Sequence, residues 1–199
     1  VLYDRAIKIS GGRYGIGGKE TRPEHIMAVF SELTKKNPKR NFTIGIVDDV
    51  THLSLDVNEV LDLTPSEIYQ AKFWGFGSDG TVGANKAAIK IIGDHTNQYV
   101  QGAFEYDSKK SGGLTISHLR FGNQPILSEY MQVKSDFISC SNMTYIHRYD
   151  LIKGLKTGGI FLLNTSWDDE KLSQHLPPAL KAALLDKNIK FYRIDAMKI

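Results

Sequence analysis

The feature that most constrains this chain is a glycine-rich passage between a strand and a helix. Lys72-Phe73-Trp74-Gly75-Phe76 reads as a strand, and Ala84 to Ile92, with Ala88, Ile91 and Ile92 apolar, reads as a helix. Between and across them runs Gly75-Phe76-Gly77-Ser78-Asp79-Gly80-Thr81-Val82-Gly83-Ala84-Asn85-Lys86. Glycines let a backbone turn tightly and approach a ligand closely. Unpaired N–H groups at a helix start favour an anion. Strand, turn and helix in this order are the unit from which α/β sheets are built.

The rest of the chain repeats that alternation. Strands are expected at Gln98–Tyr106, from Leu114 to Leu119, at Asp136–Cys140, at Gly159–Asn164 and at Ile189–Arg193. Helices are expected at Tyr149–Leu155, closed by Gly158-Gly159, and at Ala179–Leu185 after Pro177-Pro178. Residues 1–48 read as a smaller α/β unit. It has a turn at Gly11–Gly18, a helix after Thr21 with Pro23 in its first turn and Ile26, Val29, Phe30 and Leu33 at helical spacing, and a strand at Phe42–Val47. Asp48 to Thr64 has no periodicity and marks a domain boundary, with Pro65-Ser66-Glu67-Ile68 leading into the second unit. The expected fold is α/β, with a mainly parallel sheet flanked by helices, preceded by part of a second α/β domain.

Several classes of function are disfavoured by composition. A net charge of +3, from 25 basic and 22 acidic residues, is too balanced to point to nucleic acid. No apolar run reaches the ~20 residues of a membrane span. Val1 to Ser10 carries Asp4, Arg5 and Lys8 and does not read as a signal peptide, and a chain beginning at Val1 reads as an excised segment. The single cysteine, Cys140, fits a reducing compartment and cannot hold an iron–sulfur cluster, which needs about four ligands. The six histidines show no metal-binding spacing.

Three readings of the glycine-rich passage present themselves, and one of them fails. Gly75-x-Gly77-x-x-Gly80 fits the GxGxxG dinucleotide pattern, for which Glu105 or Asp107 stands as the ribose acid, later than the usual spacing. It is not a Walker A loop, since no Lys-Ser or Lys-Thr follows the last glycine. The third reading is a structural turn with no ligand. A second loop, Asp107-Ser108-Lys109-Lys110-Ser111-Gly112-Gly113, follows the next strand, and in a parallel sheet it would share the crevice of the first. Paired lysines there suit a ligand with several phosphates, such as coenzyme A or NADP, and NAD less well; solvated surface lysines are the plain alternative.

His118 and Arg120 read as exposed strand positions that can also line the crevice. Cys140 reads as a buried, inert thiol. Ser139, Ser141, His147 and Asp150 lack the GxSxG context of a hydrolytic triad. Asp168-Asp169-Glu170 fits the first turn of a helix, where the dipole favours carboxylates, and Trp74 and Trp167 read as packing residues.

Longer stretches carry more than these patterns. Gly77 to Lys86 resembles the central glycine-rich loop of the pyruvate:ferredoxin (flavodoxin) oxidoreductases. Tyr106 to Gly113, continued by Thr115-Ile116-Ser117-His118-Leu119-Arg120-Phe121-Gly122, is similar to the same family, as are Gly12 to Glu20 and Phe42 to Thr51 upstream. The resemblance runs through nearly the whole chain in order. It implies the C-terminal part of a transketolase-C-terminal-like domain at 1–50, a linker at 51–66 and a gamma-type domain at 67–199, truncated at its C-terminus. It implies an enzyme that oxidatively decarboxylates pyruvate to acetyl-CoA. That enzyme uses thiamine diphosphate, magnesium and [4Fe–4S] clusters held outside this segment, and passes electrons to ferredoxin or flavodoxin. This segment would then contact coenzyme A and hold domains together, through Gly77, Ser78, Lys109 and Lys110 foremost, with Gly80, Thr81 and Asn85 behind them. No catalytic residue is assigned within it, no metal-binding residue is expected there, and the fragment alone is expected to have no turnover. The implied partners are the remaining domains of the same enzyme, within a cytoplasmic homodimer that engages neither nucleic acid nor membrane. An independent NAD(P)-binding Rossmann-like domain is the alternative function.

Overall fold

The computed structural model describes residues 9–47, 50–107 and 112–199. It divides into two compact units, residues 1–63 and 64–199.

The first unit holds a short parallel ribbon of β1 (Gly12–Arg13) and β2 (Phe42–Thr43), with helix α1 (Pro23–Thr34) between them in sequence. Pro23 stands at the first helical position, where its missing N–H costs nothing, and the Arg22 N–H donates to Nδ1 of His25 (3.1 Å). The expected helix forms, but its apolar stripe is split: Ile26, Met27 and Phe30 are exposed, while Val29 packs against Phe42, Ile44 and Leu55. Glu24 and Glu32 are buried instead, and each is satisfied. Glu24 accepts from Arg22 Nε (2.6 Å) and Glu32 from Lys35 Nζ (2.6 Å) and Lys39 N–H (2.8 Å). The two carboxylates thus anchor neighbouring chain at the cost of an apolar contact. The expected strand at Phe42–Val47 shortens to β2, because Gly45 turns the backbone at φ 82°.

The second unit is built on a six-stranded sheet in the order β4-β5-β3-β6-β7-β8. Its strands are β3 (Tyr69–Phe76), β4 (Tyr99–Tyr106), β5 (Leu114–Gly122), β6 (Ser135–Cys140), β7 (Leu155–Asn164) and β8 (Lys190–Ile194). The pairings β3–β6, β6–β7 and β7–β8 are parallel, while β4–β5 and β5–β3 are antiparallel. The sheet is therefore mostly parallel, as expected, with an antiparallel hairpin at one side. That hairpin arises because β4 and β5 are joined by a short loop, too short for the crossover that parallel neighbours need.

Helices cover both faces. On one, α2 (Thr81–His95) packs Ile89 over Gly102, where an added Cβ would lie 2.2 Å from Ile89 Cδ1, and sets Lys86 Nζ 5.4 Å from the Phe104 ring. On the other, α3 (Asp169–His175) and α4 (Pro178–Asp186) lay Leu172, Leu176 and Leu184 onto the main core of Ile138, Cys140, Phe161 and Leu163. Asp168 caps α3 by accepting from the Lys171 N–H (2.9 Å), in line with the acidic run there. Trp74 and Trp167 pack against the same core, also as expected.

One helix expected from sequence does not form. Residues 151–154 are turns and β7 begins at Leu155, while Met143–His147 forms one 3-10 stretch. Leu151, Ile152 and Leu155 are buried, which imitates a helical spacing, but Gly154 takes φ 80° and turns the chain into β7. Gly158 and Gly159 lie inside β7 and close no helix.

Candidate functional site

The glycine-rich passage follows β3 and opens α2. Two residues at positive φ shape it. Ser78 lies at φ 79° and Gly80, the residue before α2, at φ 86°. A non-glycine residue in this left-handed region costs about 1–3 kcal/mol, so Ser78 is held there by its surroundings.

Asp79 is the main holder. Its Oδ2 accepts from the Phe76 N–H (2.8 Å) and from Ser141 Oγ (2.6 Å), and its Oδ1 from the Thr81 N–H (2.8 Å). Burial would raise its carboxyl, but the hydrogen bonds from Phe76, Ser141 and Thr81 outweigh burial and hold it below the ordinary range. Ser141 stands just past the end of β6, with its N–H on the Trp74 carbonyl (2.9 Å). Asp79 thus ties the loop to the ends of two neighbouring parallel strands, the place where open α/β sheets receive ligands.

The carboxylate also takes one of the helix-start amides. The first helical bond is from the Ala84 N–H to the Gly80 carbonyl (2.9 Å). Thr81 N–H is held by Asp79, so Val82 and Gly83 are the first-turn residues whose N–H groups have neither an intrahelical acceptor nor that carboxylate. An anion meeting this helix start is received on the Val82 side.

The hairpin root lies on that side. The Gly77 N–H donates to the Gly113 carbonyl (2.7 Å), and a Cβ on Gly77 would lie 3.2 Å from that oxygen. A cleft of about 230 Å³ lies between the loops, lined by Gly77, Ser78, Val82, Tyr106, Asp107, Gly113, Leu114 and Thr115. The two loops are neighbours, but by a different route from the one expected. The strand beside β3 is β5, and it is the start of β5, not the end of β4, that meets Gly77.

The candidate residues from sequence distribute as follows. Gly77 and Ser78 line the cleft. Gly80 and Thr81 form the helix start. Asn85, one turn on, is 4% exposed and packed inside, with its Nδ2 unpartnered. Lys109 and Lys110 lie outside the described residues. Thr115 also lines the cleft, though no sequence pattern marks it for ligand contact. It is 7% exposed with an unpartnered Oγ1, and the only sign in the sequence was a hydroxyl residue at the start of a strand beside a glycine pair.

The dinucleotide pattern fits this geometry poorly. β4 is separated from β3 by β5, so Asp107, which follows β4, shares the cleft with Gly77 and Ser78 from two strands away rather than from the neighbouring strand of the usual arrangement. Glu105 is engaged elsewhere. Its Oε1 meets Nε2 of the buried His118 at 2.5 Å, and this bond, against the opposing effect of burial, holds its carboxyl below the ordinary range. His118 and Arg120, expected as exposed, are 4% and 3% exposed. Both share a sheet face with Lys72 and Gln70, opposite the face of Gly75 and Thr115. Arg120 is fixed by Gln70 Oε1 (3.1 Å), Gln101 Oε1 (2.8 Å) and the Ser128 carbonyl (2.7 Å). Burial lowers the His118 imidazole despite the Glu105 contact.

Among the described residues no three His, Cys, Asp or Glu side chains converge to hold a metal ion. Burial pushes the Cys140 thiol up to about 12, and its Sγ donates to the Asn142 carbonyl, so it is neither a nucleophile nor a cluster ligand. Ser141 serves Asp79 rather than a histidine.

Comparison with known proteins places this architecture. The family model described as pyruvate ferredoxin/flavodoxin oxidoreductase matches residues 70–199. The chain is 54% identical over 197 residues to the pyruvate:ferredoxin oxidoreductase of Moorella thermoacetica, covering 99% of this chain and 17% of that protein. It is 56% identical over 198 residues to the pyruvate-flavodoxin oxidoreductase of Klebsiella pneumoniae, again covering 99% and 17%. A pyruvate oxidoreductase subunit from Thermotoga maritima aligns in structure with a TM-score of 0.46 and 20% identity, over 55% of this chain and 56% of that one. The chain therefore spans about a sixth of the length of the two relatives named, and it belongs to the pyruvate ferredoxin/flavodoxin oxidoreductase family.

Proposed function

We propose that this chain is part of a 2-oxoacid oxidoreductase that decarboxylates pyruvate oxidatively to acetyl-CoA, and that its cleft helps bind coenzyme A. In this reading electrons leave to ferredoxin or flavodoxin, as the names of the relatives suggest. Residues 1–50 are the end of a transketolase-C-terminal-like domain, 51–66 a linker and 67–199 a gamma-type domain. The enzyme is a cytoplasmic homodimer. Thiamine diphosphate, magnesium and [4Fe–4S] clusters belong to other regions of it. One buried thiol does not fit cluster ligation. This segment's part is to hold and orient the thiol donor while the cofactors carry the redox chemistry.

The observation that carries the reading is the 2.7 Å bond from Gly77 to Gly113. It holds the glycine-rich helix start and the hairpin root to one cleft. Lys109 and Lys110, which stand between Asp107 and Gly112 in sequence, lie outside the described residues and enter as the cationic residues of the reading. Val82 and Gly83 amides and the Ser78 hydroxyl then make an anion-binding surface, with Asp79 setting the loop's shape.

Calorimetric titration of the intact enzyme with coenzyme A, NADP and NAD tests it. Coenzyme A is expected to bind, with affinity falling roughly tenfold in the Lys109→Ala/Lys110→Ala variant and falling with added salt in the wild type. Preference for NAD(P) would favour a dinucleotide site. Absence of coenzyme A binding, or binding indifferent to the lysines, would sink the assignment.

A further inference from the structure

The parallel half of the sheet is closed on one face and open on the other. Register aligns Ala71, Phe137 and Ile160 in one row and Phe73, Ser139, Leu162 and Tyr192 in the next. Both rows lie on the face of α2, since Ala71 also pairs with Leu119, and Leu119 with Gly102 beneath Ile89. On the opposite face Ile138, Cys140, Phe161 and Leu163 are each 0% exposed, packed with Leu172, Leu176 and Leu184. On the α2 face Phe73, Phe137, Ile160 and Leu162 are only half-buried, and Tyr192 is 54% exposed. Parallel strands are normally covered on both sides.

The open half has a topological cause. α2 packs on β3, β4 and β5. The links from β6 to β7 and from β7 to β8 both pass over the other face, where Tyr145, Leu172 and Leu184 join the core. Among the described residues of this unit, no helix lies over β6, β7 and β8 on the α2 face. The resulting trough has a helical wall. Lys86 and Gly93 of α2 stand towards β4, at Phe104 and Val100. At about 100° per residue, Ala84, Ala88 and Ile91 line the opposite flank, towards β6, and Ile91 is 58% exposed. From β3 to β8 are three strand spacings, about 14 Å, and a helix with its side chains is about 10 Å across. One helix fits beside α2, and two do not.

We infer that this trough seats one amphipathic helix, supplied by the polypeptide that follows Ile199 in the intact enzyme. The inference rests on the reading of this chain as part of a longer oxidoreductase; it spans about a sixth of the two relatives named. The path of the chain favours that source over a second copy or a separate protein. Beyond β8 the Ala196 N–H donates to Asn164 Oδ1 (3.1 Å), and Asn164 lies on the open face, two residues past Leu162. The Lys198 N–H then closes a turn onto the Asp195 carbonyl (3.0 Å). The chain has thus turned from the sheet edge back over β7 on the open side. The eight residues of β3 span about 26 Å, the length of a helix of about 17 residues. Such a helix lays its apolar stripe on Phe73, Phe137, Leu162 and Ile91 and keeps its polar face in water.

The test places the photo-crosslinking residue p-benzoylphenylalanine at Tyr192 of the intact enzyme, irradiates it and maps the joined peptides by mass spectrometry. The exchange keeps the tyrosine ring, so the fold should tolerate it. The same residue at Ile91 probes the other wall, and at Lys90, exposed on the outer side of α2, it serves as control. Tyr192 and Ile91 are both expected to join one peptide of their own chain, within about 30 residues after Ile199. Lys90 is expected to join it little or not at all. Joining to the second subunit, to a distant region or to ferredoxin would overturn the inference. So would yields at Tyr192 and Ile91 no higher than at Lys90. Turnover of pyruvate with coenzyme A is measured on the same preparations. Turnover with the wrong crosslinks overturns the helix alone, whereas a wild type without turnover counts against the proposed function, whatever the trough holds.

Discussion

Replacing Asp79 by asparagine should loosen the glycine-rich loop measurably without unfolding the protein. The carboxylate accepts from two backbone amides and one hydroxyl, at 2.8, 2.8 and 2.6 Å. An asparagine of the same size keeps one acceptor oxygen and must turn its amide nitrogen towards a backbone N–H. Bonds to a charged acceptor are worth roughly 1.5–3 kcal/mol each when buried, and this loop is largely open to water, so the expected net loss is about 1–2 kcal/mol. For a unit of residues 64–199 that lowers the melting temperature by about 3–8 °C. The effect carries a pH signature. The folded Asp79 carboxyl lies below its unfolded value, so its stabilisation is complete above about pH 4 and fades as pH falls through the folded value. Thermal unfolding followed by circular dichroism at pH 7 and at pH 3 should show a gap between wild type and variant that narrows in acid. Ser141→Ala, which removes one donor only, should cost less. Equal melting temperatures at pH 7, or a gap that persists unchanged at pH 3, would show that Asp79 does not hold the loop.

Three further outcomes follow from the packing. Gly154→Ala places a Cβ 2.2 Å from the Val133 carbonyl oxygen at φ 80°, and should cost more than about 3 kcal/mol in urea unfolding through strain and overpacking together. Cys140 should resist a thiol reagent such as 5,5′-dithiobis(2-nitrobenzoate) at pH 8 in the native protein and react at once in denaturant, because burial pushes its thiol to about 12. The depressed His118 imidazole remains neutral in the fold while the unfolded chain takes up a proton, so stability should fall as pH drops below about 6.5. A His118→Gln variant should show a flatter dependence of melting temperature on pH between 7 and 5.

Much of the architecture was legible because strand and helix periods differ. β3, α2, β4, β6 and β8 fall within a few residues of their expected places. The direction of β5 was not legible, since an alternating strand reads the same in either orientation; only the short link from Tyr106 to Leu114 hinted at a hairpin. Leu151, Ile152 and Leu155 suggested a helix that Gly154 prevents, because a left-handed turn leaves no trace in apolar spacing. The outward face of Ile26 and Phe30 was equally hidden, since it depends on where Glu24 and Glu32 find partners. At the site, the glycines announced a close backbone approach, and Gly77 makes one to Gly113. The role of Asp79 was missed: an acid in a glycine-rich loop looks like a surface residue until its three donors are seen. His118 and Arg120 were misplaced because buried polar pairs such as His118–Glu105 and Arg120–Gln70 mimic an exposed face.

Hydrogen–deuterium exchange on the intact enzyme, with and without saturating coenzyme A, bears most directly on whether one ligand bridges both loops. Slower exchange in peptides spanning 76–84 and 106–115 together, and little change in α3 and α4, is the expected result. Protection of neither segment, or of only one, would contradict it.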